Sequence, residues 1–142
     1  MARPHIPQAL RQLVRERSVR RCEYCLIHEE DRPESHQVDH VIPLKHDGQT
    51  INENLALACA ICNNNKGSDF ATIDWQSQEI TPLFNPRTQH WRDHFRFSGP
   101  HIHGRTVIGE ATVRLLRMND PDRVLFRQIL MDAGLYPPAE FR

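Results

Sequence analysis

The sequence predicts an α+β fold, a small domain of short strands and short helices gathered around a metal site. Three observations predict it. All four cysteines fall into two Cys-x-x-Cys pairs, Cys22/Cys25 and Cys59/Cys62. Between the pairs lie short apolar runs broken by turn residues, not one long amphipathic stretch. On both sides of this middle segment the apolar residues take helical spacing. With 142 residues, 39% hydrophobic and 25% charged, the chain has the size and composition of one globular domain. We expect a single domain over 1–142, with an N-terminal helix in 1–20, a metal-bound core in 21–70 and an extension in 71–142.

In chain order, residues 7–18 read as a helix. Pro7 suits the first helical position, and Leu10, Leu13 and Val14 keep the i, i+3, i+4 spacing. Gln37 to Ile42 reads as a strand stopped by Pro43, and His46-Asp47-Gly48-Gln49 as a turn. Leu55 to Ala58 is a second short strand or an extended run into Cys59. Ala60 to Lys66 is a short helix closed by Gly67. In the extension, Phe95–Phe97 and His101–His103 alternate around Ser98-Gly99-Pro100, which predicts a hairpin. Residues 107–118 form a helix with Ile108, Ala111, Leu115 and Met118 on one side. Asp120-Pro121 then starts another, with Leu125, Ile129 and Ala133 as its stripe and Gly134 as its C-cap.

No stretch approaches the roughly 18 apolar residues of a membrane span, so no membrane partner is expected. The segment 1–21 lacks the apolar core of a secretory signal, and the expected location is cytoplasmic. Formal net charge is zero, yet the same segment holds Arg3, Arg11, Arg15, Arg17, Arg20 and Arg21 against Glu16 alone. A basic end of this kind engages a polyanion locally, or is simply a solvated helix face.

The cysteine pairs predict a structural zinc. A Cys-x-x-Cys knuckle aims two thiolates at one tetrahedral centre, and Cys22, Cys25, Cys59 and Cys62 complete a closed four-coordinate shell. Disulfides do not suit a reducing cytosol, and a redox pair has no need of a second pair. The segment 26–58 between the knuckles exceeds an ordinary ribbon spacing, so this loop carries structure of its own.

Inside that loop and just beyond it stand Asp39-His40, Pro43, Gly48, Asn54-Leu55, Cys59-Ala60-Ile61-Cys62-Asn63 and Lys66-Gly67. In this order and spacing, residues 22–67 resemble the HNH endonucleases, the ββα-metal or His-Me finger nucleases. The resemblance implies a ββα-metal core on a treble-clef-like four-cysteine zinc site, extended by the N-terminal helix and the C-terminal hairpin and helices. The segment Leu83-Phe84-Asn85-Pro86-Arg87 with Trp91 and His94-Phe95 is similar to an extension on small bacterial members.

The residue chemistry suits phosphodiester hydrolysis. Histidine ordinarily titrates near neutrality, which makes His40 a candidate general base. Asp39 offers a hard oxygen ligand to Mg²⁺ or another divalent cation, and Asn63 a second. One such ion holds a phosphate oxygen and the leaving oxygen together. The resemblance assigns the same parts. It adds Asn54 as the residue fixing the loop that carries the base, and Lys66 as a phosphate contact. Asn63 stands at the histidine of the family signature, a variant the family accepts. Arg87, with Trp91 and Arg92, is a candidate phosphate and stacking surface, although Phe84, Trp91 and Phe95 equally serve to pack the tail.

The expected function is metal-dependent cleavage of nucleic acid, DNA above RNA. Cutting both strands needs a homodimer or two encounters. The alternative is a zinc-stabilised nucleic-acid-binding module without catalysis, and a third reading is a nuclease subunit in a larger assembly. On a regular strand Asp39 and His40 point to opposite faces, so both serve one site only at a strand end, or if the phosphate bridges them. His36 either orients the site from behind or simply packs. His46, His101 and His103 read as surface.

Overall fold

A computed structural model describes residues 5–142, so Arg3 of the basic N-terminal cluster lies outside the described residues. The α+β expectation holds. Among the described residues, three antiparallel two-stranded sheets are interleaved with helices. Helix α1 spans Gln8–Arg17. Strands β1 (Gln37–His40) and β2 (Leu55–Ala58) pair with Gln37 opposite Ala58 and His40 opposite Leu55. Helix α2 (Ala60–Lys66) follows directly and completes the ββα unit. The extension holds hairpin β3–β4 (Ala71–Asp74, Glu79–Pro82) and the single turn α3 (Trp91–His94). Hairpin β5–β6 (Phe95–Ser98, His101–Gly104) comes next, then helices α4 (Val107–Leu115) and α5 (Pro121–Asp132).

The sequence Leu-Ala-Leu-Ala of β2 explains how the middle layer is built. All four residues are buried, because the strand has a packed neighbour on each face. Leu55 and Leu57 point one way and form a cluster with Ile6 and Val14, joined by Leu10 and Val38. Ala58, on the other face, joins the larger core around the cysteines. Large residues therefore fill the gap to α1, and small ones admit the backbone of the metal site.

The larger core unites the middle segment with the extension. It contains the four cysteines, Tyr24, Phe84, Trp91, Phe95, Ile102, Leu116 and Tyr136. Trp91 packs against Phe95 and Phe97, with ring centroids 4.9 and 5.2 Å away. Its indole Nε1–H donates to the Tyr24 carbonyl at 2.8 Å, and the Tyr136 hydroxyl donates to the Cys25 carbonyl at 2.6 Å. Both bonds tie the extension to the first knuckle. Phe84, Trp91 and Phe95 are thus packing residues. At Gly109 a Cβ would lie 1.9 Å from the His94 carbonyl oxygen, so α4 meets α3 backbone to backbone and only glycine fits.

Several local expectations shift. Pro7 is the N-cap of α1, one residue before the helix, and Leu13 is exposed while Val14 is buried. Strand β1 stops at His40, because Val41 and Ile42 turn to bond Asn54. Hairpin β3–β4 adds to the expected elements; its signal is the Thr72-Ile73 and Ile80-Thr81 alternation around Gln76-Ser77.

The face of α5 is the main correction. Leu125 and Ile129, the expected core stripe, are exposed at 61% and 56%. Arg123, Arg127 and Leu130 are the buried positions. Arg127 donates from Nε to the Pro100 carbonyl at 2.7 Å and from Nη2 to Asn119 Oδ1 at 3.0 Å. Arg123 reaches the cysteines. Apolar periodicity fails here because the partners to be satisfied are carbonyls and thiolates, and the arginine stems supply the apolar contact. Leu130→Ala should therefore cost about 2–5 kcal/mol of stability in denaturant unfolding, whereas Leu125→Ser should change it by less than about 0.5 kcal/mol.

Candidate metal centre and catalytic cleft

The four cysteine sulfurs all lie within 4.8 Å of one another, and all four residues are buried. The Cys25 and Cys59 sulfurs are 3.7 Å apart. A tetrahedral zinc with Zn–S of about 2.3 Å sets its sulfurs about 3.8 Å apart, so the cluster fits zinc. Local backbone explains the placement. In the first knuckle the Cys25 N–H points at Cys22 Sγ at 3.4 Å, and Leu26 takes a positive φ of 69° to turn the chain back, with its N–H on the Cys22 carbonyl at 2.8 Å. In the second, Cys59 is the N-cap of α2 and its sulfur accepts from the Cys62 N–H at 3.4 Å. One knuckle is thus a turn and the other a helix start.

Arg123 completes this centre. Its Nη2 donates to Cys62 Sγ at 3.0 Å, and its Nη1 to the Leu116 carbonyl at 2.6 Å. Burial works against its charge, but the Cys62, Cys25 and Cys59 sulfurs outweigh that and hold its pKa above the ordinary value. Four thiolates around a dication leave two negative charges in the core, and a buried guanidinium offsets one of them. Sequence reasoning missed Arg123, which lies 61 residues beyond its partner and outside the apolar stripe read on its helix.

The second centre lies where β1 ends against α2. Asp39, His40 and Asn63 line one cleft of about 490 Å³, together with Gln37, Arg11 and Lys45. Both Asp39 and His40 are in its lining, and β1 ends at His40. Asp39 is buried. Its Oδ2 lies 3.1 Å from Lys66 Nζ and accepts from the Tyr24 hydroxyl at 3.0 Å, and its Oδ1 lies 3.4 Å from Lys66 Nζ. Burial pushes the Asp39 carboxyl up from its ordinary value, while Lys66 and Tyr24 pull it back. Asn63 donates from Nδ2 to Gln37 Oε1 at 3.1 Å, which leaves its carbonyl oxygen as the available ligand atom. His40 Nε2 lies 2.9 Å from the Thr50 hydroxyl. Sequence reasoning did not single out Gln37 or Thr50. The signals are their places, two positions before Asp39 and at the close of the 46–49 turn.

Asn54 locks the loop after His40. Its Oδ1 accepts from the Ile42 N–H at 2.9 Å, and its Nδ2 donates to the carbonyls of Ile42 and Gln49 at 3.0 and 2.9 Å. The loop closes so tightly that a Cβ on Gly48 would lie 1.7 Å from the Ile42 carbonyl oxygen. Asn54 therefore shapes the cleft from behind it.

The two expected phosphate contacts stand elsewhere. Lys66 is 1% exposed, and its Nζ also donates to the His40 carbonyl at 3.1 Å. An ammonium buried this deeply needs such partners, and they draw it inward from the helix end. Arg87 pairs with Glu23, whose other oxygen accepts from the Leu57 N–H at 2.8 Å. Burial pushes the Glu23 carboxyl up, and Arg87 opposes this. Arg87 is thus committed to the first knuckle and does not line the cleft of Asp39 and His40. His36 is buried, with Nε2 at 2.9 Å from the Ile27 carbonyl oxygen. Among the described residues, no helix is long and apolar enough to cross a membrane.

Comparison with known proteins bears on the middle segment. Residues 22–69 match the family model for HNH endonuclease, a span that holds all four cysteines, Asp39, His40, Asn54 and Asn63. The chain is also similar to the Septu protein PtuB of Bacillus thuringiensis, 24% identical over 131 residues. That similarity covers 91% of this chain and 47% of the relative, so the chain spans about half the length of the curated relative it matches. No solved structure matches.

Replacing Arg123 tests the charge balance of the four-cysteine centre. Arg123→Met should weaken zinc binding by about 10–100-fold in competition with a chromophoric chelator. An unchanged zinc affinity would mean that the guanidinium only fills space.

Proposed function

We propose, with the HNH domain at residues 22–69 as the premise, that this chain is a metal-dependent endonuclease acting on DNA. The observation that carries the reading is the cleft that Asp39, His40 and Asn63 line together at the end of β1. In this reading His40 is the general base, its ring held by Thr50, and takes a proton from the attacking water. The Asp39 carboxylate and the Asn63 carbonyl would hold Mg²⁺ or a similar divalent ion, which stabilises charge on the phosphate and on the leaving oxygen. A carboxylate has about four acceptor positions, so Tyr24 and Lys66 leave room for an ion on Asp39. Lys66 acts as a positioning residue, holding Asp39 and the His40 backbone in register. Asn54 holds the loop behind the base.

The zinc of the four cysteines is structural in this reading, because a closed four-thiolate shell leaves no position for water. The middle segment and the extension act as one unit, since the large core joins the knuckles to the extension. One cleft cuts one strand, so double-strand cleavage requires a homodimer, a larger assembly or successive encounters. Four unbridged thiols suit a reducing, cytoplasmic setting.

A specific observation favours a second reading. Lys66 already neutralises Asp39, so the cleft is electrostatically complete without a metal, as a non-catalytic nucleic-acid-binding module would require. Incubation with supercoiled plasmid separates the two. The nuclease reading predicts nicking that needs Mg²⁺ or Mn²⁺ and falls by about 10²–10⁴-fold in His40→Ala. It also predicts that Asn63→Ala needs more divalent ion for the same rate. Plasmid binding without nicking under either metal would establish the binding module.

A further inference from the structure

A cleft that handles a nucleic acid has to neutralise phosphate charge. The two cations expected to do so are withdrawn: Lys66 is buried against Asp39, and Arg87 is paired with Glu23. The N-terminal arginines are the next source, and the structure sorts them. Arg15 Nη2 donates to the His36 carbonyl at 3.0 Å and lies 3.6 Å from Glu29. Arg17 donates to the Leu55 carbonyl, and Arg21 to the Leu26 carbonyl. These three fasten α1 and the chain after it to the middle segment. Arg11 is different. Its Nε donates to the Ile6 carbonyl at 3.1 Å, which orients the guanidinium, and its side chain lines the cleft of Asp39, His40 and Asn63. Lys45 lines the same cleft from the single turn Leu44–His46 after β1, and is exposed. Among the described residues, no carboxylate forms an ion pair with Arg11 or Lys45.

We propose that Arg11 and Lys45 form a backbone clamp, holding phosphates of the DNA strand on which the cleft acts. The inference deepens the nuclease reading and rests on it. Arginine supplies a planar two-donor fork and lysine a mobile point charge, so one orients a phosphate and the other neutralises its neighbour. The clamp is pre-set, because Arg15 and Arg17 fix α1 to the middle segment before any ligand arrives. Neither residue reads a base, so the clamp contributes affinity equally at every sequence.

Fluorescence anisotropy of a labelled DNA duplex tests this in full-length zinc-loaded protein carrying His40→Ala, titrated over a range of salt with Ca²⁺ present. Arg11→Gln and Lys45→Gln should each lower the steepness of log affinity against log salt by about 1, and the double variant by about 2. Arg20→Gln, an exposed arginine outside the cleft, should leave the steepness unchanged. Zinc content reports that each variant is folded. Unchanged steepness in both cleft variants, or an equal fall in Arg20→Gln, would overturn the clamp while leaving the nuclease reading intact. Failure of the His40→Ala parent to bind DNA at any salt would overturn that reading and the clamp with it.

Discussion

The two knuckles bring residues 22–25 and 59–62 into one coordination sphere, and closing that sphere closes the segment 26–58 into a loop. Most of the architecture follows from this closure. The start of α2 is fixed because Cys59 is both a ligand and the helix N-cap. Strand β2 runs straight into Cys59, so its register is anchored at one end, and β1 pairs with it. The first knuckle is held to the same strand by Glu23, which exchanges bonds with the Leu57 backbone. The four cysteines sit inside the larger core, which the extension completes. Zinc held by the four thiolates would add cohesion to that packing.

The cleft is a by-product of the same geometry. Once β1 lies against α2, Gln37 and Asp39 face Asn63 and Lys66, and the strand end presents His40 beside them. Each polar group is braced by another: Tyr24 and Lys66 on Asp39, Gln37 on Asn63, Thr50 on His40. Tyr24 lies between Cys22 and Cys25 in the chain, so the metal centre and the cleft share a residue's breadth of backbone. The extension reinforces the arrangement from outside. Arg123 reaches a thiolate, and Tyr136 and Trp91 reach knuckle carbonyls.

The middle segment is largely legible in the sequence because its signals are local. Cysteine spacing, the strand before Pro43, the short helix closed by Gly67 and the ordered Asp39, His40, Asn54 and Asn63 all depend on nearby residues. What escapes depends on long-range partners. Lys66 reads as a phosphate contact, and its burial follows from Asp39, 27 residues away. Arg87 reads as a ligand for phosphate, and Glu23, 64 residues away, takes it. Helix α5 is turned the other way because apolar spacing cannot register that a thiolate and a carbonyl are the groups in want of partners. Arg11, by contrast, is one of six similar arginines, and only the packing of α1 distinguishes it.

The four-thiolate centre, on this view, is what holds the cleft together. Hydrogen–deuterium exchange of the amides in β1, β2 and α2, before and after zinc is removed with a chelator under reducing conditions, tests it most directly. Protection over 37–40, 55–58 and 60–66 should be lost together when zinc leaves, and should return when zinc is restored. Protection of β1 and β2 that persists in the metal-free protein would contradict this dependence, since the strands would then be held by packing alone.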